Sequence, residues 1–441
     1  RRDGSSLFGE DERWQTYFRG AAAYRLTEDF DIPNVSELKL RAAYGSSGNR
    51  PPFSAQYETY SATESGLQIE NLGNSELRSS TIFETTIGID ATFLQRFNLT
   101  VNYADSRTKD DYLRVPLAGG VGFNNQFQNI GEVESTTWEA SLESQILTGN
   151  DGPSLSVGTT FSRVRQEITD LGGSPAFTRD PASLDSDNTD APALALFRVE
   201  EGVPFGAMYG NKLLTSLDQL TIVDGEVLNS GGSSPDDFTV NNQGYVIPAG
   251  TEGTSAEQPV YMVNQDGQKE VTQIGNTRPD FQVGFRSNFT WKGLGVYALL
   301  DWSQGGDVYN YSKQLLYFNY RHEDQQDFAE QGKDIAYSDG SSNIYNQGAA
   351  SSYFVEDATF VKLRELSVSY TLGQSLLQNA LGVTAVERIK FSVIGRNLLT
   401  LTDYSGWDPE VGLRSDANNF KLDEYAYPNF RTFTGAVSIQ F

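Results

Sequence analysis

The sequence predicts an all-β fold: a transmembrane antiparallel β-barrel, about 11 strands of it in this chain, with long extracellular loops. Three observations carry this. Stretches of about ten residues repeatedly alternate apolar and polar side chains, the length and period a tilted membrane strand requires. The connections between them alternate short and long without a break. No apolar run approaches the roughly 20 residues of a spanning helix, "LGVYALL" (294–300) being among the longest.

The elements follow in order. Residues 14–26 put Trp14, Phe18, Ala22, Tyr24 and Leu26 on one face and Gln15, Tyr17, Arg19 and Arg25 on the other. Residues 36–45 set Leu38, Leu40, Ala42 and Tyr44 against Lys39 and Arg41. The pair 81–94 and 96–106 carries Ile87, Ile89, Ala91 and Phe93, then Phe97, Leu99, Val101 and Tyr103. Residues 133–147 set Trp138, Ala140, Leu142 and Ile146 against Glu139, Ser141, Glu143 and Gln145, and 154–164 continue with Leu155, Val157 and Phe161. In 280–291, Phe281, Val283, Phe285, Phe289 and Trp291 oppose Gln282, Arg286, Asn288 and Thr290, and 294–302 follow. Residues 360–372 place Leu366, Val368 and Tyr370 against Glu365, Ser367 and Ser369. Residues 387–397 place Ile389, Phe391 and Val393 against Arg388, Lys390 and Ser392, and "RTFTGAVSIQF" (431–441) closes the series.

The connections are short at 27–35, 148–153 and the Lys292–Gly293 turn, tight at Gln95–Arg96, and medium at 373–386. They are long at about 46–80, 107–132, 167–279, 303–359 and 398–430. Outer-membrane barrels sort their loops in this way, with brief periplasmic turns and long external loops, whereas a soluble sandwich has no reason to. With the long loops outside, the C-terminus is expected at the periplasmic rim. The first and last strands then run the same way, and an antiparallel barrel needs an even number, so further strands are expected outside this chain.

Composition narrows the functions. A net charge of −25, from 33 basic against 58 acidic residues, argues against nucleic acid as a partner, since phosphate binding needs a basic surface. There is no cysteine, which excludes disulfides and thiolate metal sites. The mean hydropathy of −0.44 would suggest a soluble protein, but a barrel escapes that test because only alternate strand residues meet lipid. "RRDGSSLFGEDERW" has no apolar segment behind its basic start and reads as the interior of a longer protein.

Five segments in order, "RRDGSSLFG" (1–9), "LKLRAAYGSSGN" (38–49), "VEDATFVKLRELSVSYTL" (355–372), "GRNLLTLTDYSGWDPEV" (395–411) and "YPNFRTFTGAVSIQF" (427–441), resemble the SusC/RagA-type TonB-dependent outer-membrane transporters, in the C-terminal half of the barrel. "LGNSELRSSTIFETTIGID" (72–90) and "IGNTRPDFQVGF" (274–285) look like further blocks, with departures such as Thr-Arg before Pro279. The resemblance implies a 22-strand barrel of which half is here, with the N-terminal plug and first barrel half absent. It also implies a SusD-like surface lipoprotein as lid, and coupling through the missing part to the TonB energy complex. The expected activity is import of a large nutrient, an oligosaccharide or a peptide, across the outer membrane, with no cofactor and no bond chemistry. The alternative is a passive pore or a surface adhesion barrel.

The lumen-facing polar candidates are Arg19, Arg25, Lys39, Arg41, Glu139, Glu143, Arg286, Glu365, Arg388 and Lys390, which also suit solvation of the lumen or pairing with a plug. Among loop aromatics, Tyr209, Tyr309, Tyr311 and Trp407 are candidates for stacking on substrate. Tyr44, Tyr103, Trp138, Trp291 and Tyr370 at strand ends suit interfacial girdles facing outer-membrane lipid. Asp185, Asp187 and Asp190 miss the spacing of a calcium loop, so no metal is expected there. The single histidine, His322, comes with no nucleophile signature, so no enzyme is expected. Between 167 and 279, 17 acidic residues face 5 basic ones, an acidic surface whose default reading is solvation.

Overall fold

The computed structural model describes residues 1–9, 12–63, 66–123, 125–149, 152–179, 194–326, 337–338, 343–382, 384–410 and 422–441. Asp185, Asp187 and Asp190 lie outside the described residues. The frame is one antiparallel meander: β1 (Arg19–Arg25), β2 (Val35–Asn49), β3 (Ser80–Phe93), β4 (Phe97–Pro116), β5 (Asn125–Leu147), β6 (Ser154–Asp170), β7 (Phe281–Trp291), β8 (Leu294–Gln304), β9 (Phe360–Gly373), β10 (Arg388–Thr402) and β11 (Thr432–Gln440). Each pairs with its neighbours in sequence, and the sheet is open, with β1 at one edge and β11 at the other. A hairpin of Thr59–Thr63 and Gly66–Leu72 attaches beside the start of β5.

Directly opposed residues of paired strands share a face, so register assigns the faces. Tyr24, Leu40 and Ile89 form a row that continues through Val101, Ala140, Phe161, Val283 and Trp302. Val296, Val368 and Val393 extend the same face toward β11, where Val437 opposes Phe391. The other face is polar: Lys39, Asp90, Thr100, Ser141 and Thr160 align across five strands.

Exposure along β9 is inverted relative to a water-soluble sheet. Leu366, Val368 and Tyr370 are exposed while Ser367 and Ser369 between them are half-buried. An apolar face left open and a polar face turned inward is the arrangement that lipid outside and a wet lumen inside would stabilise. The girdle candidates Tyr44, Trp138, Trp291 and Tyr370 all lie exposed on the apolar face, and Tyr103 packs on Trp138 with ring centroids 4.8 Å apart. The Lys292 ammonium covers the Trp291 ring at 5.3 Å, as a cation at an interface does.

The tightest connections turn through the left-handed region. Lys292 and Gly293 have φ of 47° and 87°, and Leu94 and Gln95 have 51° and 56°. Positive φ at two successive residues matches the twist of the flanking strands in a short hairpin. At 293 only glycine fits, because a Cβ would stand 2.6 Å from the Thr371 carbonyl oxygen.

Several boundaries differ from the sequence reading, β2, β6 and β10 running on to Asn49, Asp170 and Thr402. The first meander strand begins at Arg19 rather than 14, because Trp14–Thr16 folds back on Arg2–Gly4 and Tyr17 is buried, sharing a hydrogen bond with Ser79 Oγ at 2.8 Å. The loop expected at 107–132 is mostly strand, since β4 and β5 stay paired well past the apolar band, through register shifts around Asp111, leaving 117–124 to connect them.

The longest connections pack on one another. Leu196, Phe197 and Met208 from the span between β6 and β7 share a core with Tyr309, Tyr317, Tyr345 and Phe354 from the span between β8 and β9, and with Leu422 from the span before β11. Backbone pairing joins them as well: Asp307–Asn310 runs antiparallel to Val355–Asp357 and parallel to Leu422–Asp423. Asn211 N–H donates to Ala350 O at 2.9 Å. These connections form one body on one side of the meander.

Candidate functional site

The polar face carries ion pairs placed by strand register. Arg41 grips Asp90 with two bonds, Nε to Oδ2 at 2.7 Å and Nη2 to Oδ1 at 2.8 Å, and Nη2 also reaches Asn102 Oδ1 at 2.9 Å. Lys39 Nζ lies 3.8 Å from the same carboxylate. Arg25 pairs with Glu28 at 2.9 Å and Glu37 at 3.6 Å, Arg286 pairs with Glu143, and Arg396 pairs with Glu365 at 3.0 Å. Gly88 and Gly158 sit between the paired groups, where an added Cβ would press on Arg41 or on Arg286 and Glu143. Arg19, Glu139, Arg388 and Lys390 share that face by register, without an ion pair among the described residues. The ten lumen candidates therefore occupy one surface, and most of their charge is neutralised across strands.

The second part of the site lies in the loop body. α1 (Tyr311–Phe318) starts where the Asn310 side chain accepts from Lys313 N–H at 2.9 Å, capping one of the free amides of the first turn. Tyr311, Gln314 and Tyr317 turn into the core, which leaves Lys313 and Leu316 facing a cleft of about 400 Å³. Arg321, His322, Ser405, Trp407 and Asp423 are among the other residues of its walls.

Lys313 and Asp423 of the cleft wall are held in place. Glu356 accepts from Lys313 Nζ at 3.0 Å and from Ser405 N–H and Oγ at 2.7 Å each. Burial pushes the Glu356 carboxyl up, but Lys313 and the Ser405 donors outweigh it and leave it below its ordinary value. Asp423 accepts from Ser312 Oγ at 2.9 Å and from the Tyr404 hydroxyl at 2.6 Å, while burial and that bond push the Tyr404 phenol well above its ordinary range. His322 stacks on Tyr317, centroids 4.3 Å apart and planes within 15°.

The structure separates the four aromatic candidates. Trp407 stands at the cleft, 78% exposed. Tyr309 and Tyr311 are buried; Tyr309 is fully enclosed and bonds Gln314 and Ser351, so both rings are core and offer no face to a solute. Tyr209 is half-buried with the Arg198 guanidinium 5.8 Å from its ring centre, away from the cleft walls. Lys313, Arg321, Asp423 and Glu356 escaped the sequence reading, because they lie in aperiodic spans and Glu356 reaches Lys313 from 43 residues away. An exposed indole beside Lys313, Arg321, Ser405 and Asp423 gives an apolar plane ringed by donors and acceptors, the composition of a site for a sugar ring or a peptide.

The family model described as TonB dependent receptor-like, beta-barrel matches residues 1–247. The chain is 29% identical to TonB-dependent receptor P3 of Formosa agariphila, covering 100% of this chain and 43% of that protein. It is 24% identical to TonB-dependent receptor SusC of Bacteroides thetaiotaomicron, covering 100% of this chain and 41% of that one. Among solved structures, the RagAB peptide importer in its closed-closed state superposes with a TM-score of 0.69 at 22% identity, over 100% of this chain and 45% of that chain. The chain thus spans under half the length of the relatives it matches, and the likeness to the importer is one of fold.

Proposed function

Since the chain belongs to the TonB-dependent receptor-like β-barrel family, we propose that it is the C-terminal half of an outer-membrane barrel that imports a large nutrient, an oligosaccharide or a peptide, under TonB-dependent energy. The observation that carries the reading is the continuous apolar face across eleven paired strands, exposed along β9 where the polar residues between are half-buried, with the long connections gathered at one end. Loops at that end face the outside, the C-terminus lies at the periplasmic side, and the cleft around Trp407 takes part in binding the nutrient. A SusD-like lipoprotein closes over the loop body, and a plug in the rest of the protein fills the lumen against the ion-paired face. A barrel of this size encloses a lumen that must be plugged, so solute movement needs work done on the plug.

Uptake by cells carrying the full-length protein, with and without a functional TonB, tests the proposal. Import is expected to stop when TonB is removed. Uptake that persists without TonB contradicts it and favours a passive pore.

A further inference from the structure

The segment that carries Trp407 is held at both ends. On its upstream side, Ser405 is fixed by Glu356 and Tyr404 by Asp423. On its downstream side, Lys362 Nζ donates to both Asp408 and Glu410, and Arg364 joins Glu410 to Asp301. Glu410 N–H also donates to Asp408 Oδ1 at 2.9 Å, closing the turn. A bulge between Leu363 and Glu365 breaks the alternation of β9, so that Arg364 reaches Glu410, which Lys362 also holds.

Lys362 is 2% exposed and Asp408 is buried with it. Withdrawing such charges from water is costly, and a well-packed apolar pair of similar shape would serve stability as well or better. What a buried ion network supplies here is a fixed direction. Between the two anchored ends only Gly406 and Trp407 lie free of them, and the indole stays in water. An apolar ring kept exposed on a segment that does not move is unfavourable in the free protein and favourable once a ligand covers it, because the ordering cost has already been met.

We propose that Lys362, Arg364, Asp408 and Glu410 are positioning residues, a clamp that presents Trp407 as a preorganised platform to the ring or peptide plane of the nutrient. The inference rests on the cleft being the nutrient site, and its test separates the two.

The full-length receptor is labelled with 5-fluorotryptophan, and the Trp407 fluorine resonance is assigned by its loss in Trp407→Phe. Binding is read with maltohexaose and with a tryptic digest of casein as probes. Lys362→Met is expected to shift and broaden the Trp407 resonance and to weaken probe binding roughly ten-fold, the size of losing one well-placed contact. Lys362→Arg, which keeps the charge and offers a fork to both carboxylates, is expected to restore a single sharp resonance. Should Lys362→Met fail to assemble, Lys362→Met with Asp408→Leu replaces the pair by apolar groups and is expected to show the same altered resonance. A Trp407 resonance unchanged in these variants overturns the clamp, whether or not either probe binds. Unchanged probe binding in Trp407→Ala overturns the cleft as the nutrient site and leaves the fluorine result to judge the clamp.

Discussion

Glu356 and Glu410 flank Trp407, and both carboxyls are held below their ordinary value of 4.5. For Glu410, burial raises the carboxyl, but hydrogen bonds from Arg364 and Lys362 outweigh it. A carboxylate lowered on folding adds stability that is fully present above its unfolded value and is lost as the pH falls through its folded one. Amide protection of residues 403–410, taken against the intrinsic exchange rate at each pH, is therefore expected to hold from neutral pH down to about pH 5 and to fall below about pH 4.5. Protection that is constant across that window would show that these carboxylates do not hold the segment. At this scale the sequence was only partly readable. "VKLRE" carries its own signal, because adjacent Arg364 and Glu365 break a strict alternation and mark the bulge. That Tyr309 is core and Trp407 is not has no local signal, since both are aromatics in polar loops and their surroundings come from segments far away in the chain.

At the scale of the strand, register makes a paired prediction. Leu366 opposes Ala298 and Gly395 on the apolar face, and Ser367 opposes Tyr297 and Ile394 on the other. Leu366→Lys puts a cation toward lipid and is expected to cost about 2–4 kcal/mol if it lies near the midplane, read as the loss of folded protein in a urea titration in bilayers. Ser367→Lys faces the wet lumen and is expected to cost well under about 1 kcal/mol by the same titration. Equal costs would show that the two faces were assigned wrongly. Gly293→Val is expected to be destabilising by at least about 1 kcal/mol, because it combines positive φ with a clash on Thr371; a neutral result in the same titration would contradict the turn geometry. Eleven strands and their order are legible because period two is a local property. Their lengths are less so, for the span of a bilayer sets an expectation of about ten residues, and β4 and β5 continue pairing beyond it, where Leu113 and Val115 are buried against Ile168, Leu171 and Val199. The start of β1 is misplaced for a related reason: the period runs on through Trp14, but the strand breaks at Tyr17 and Phe18 and Trp14–Thr16 pairs with Arg2–Gly4 instead.

The whole molecule is a membrane sheet of short-range order topped by a loop body of long-range order. The loop body holds most of the buried side chains, and its tyrosine-rich core draws on three connections, its members running from Leu194 to Leu422. No periodic pattern announces such a core, so the sequence shows where these loops lie and not that they form one unit. Register puts the ten polar strand candidates on one face, although their cross-strand ion pairs depend on Glu37, Asp90 and Arg396, which alternation alone does not single out.

The most direct test of this architecture uses the absence of cysteine from this chain, which lets single cysteines introduced into it report position once any in the rest of the protein are replaced. Introduced in turn at Trp407, Lys292 and Leu366 of the full-length protein, they are exposed on intact cells to a membrane-impermeant maleimide, and in bilayers to lipid-borne and aqueous quenchers of an attached fluorophore. The account predicts labelling from outside at 407, none at 292 until the outer membrane is opened, and quenching at 366 by the lipid-borne quencher alone. Labelling at 292 on intact cells, or quenching at 366 from water, would contradict it.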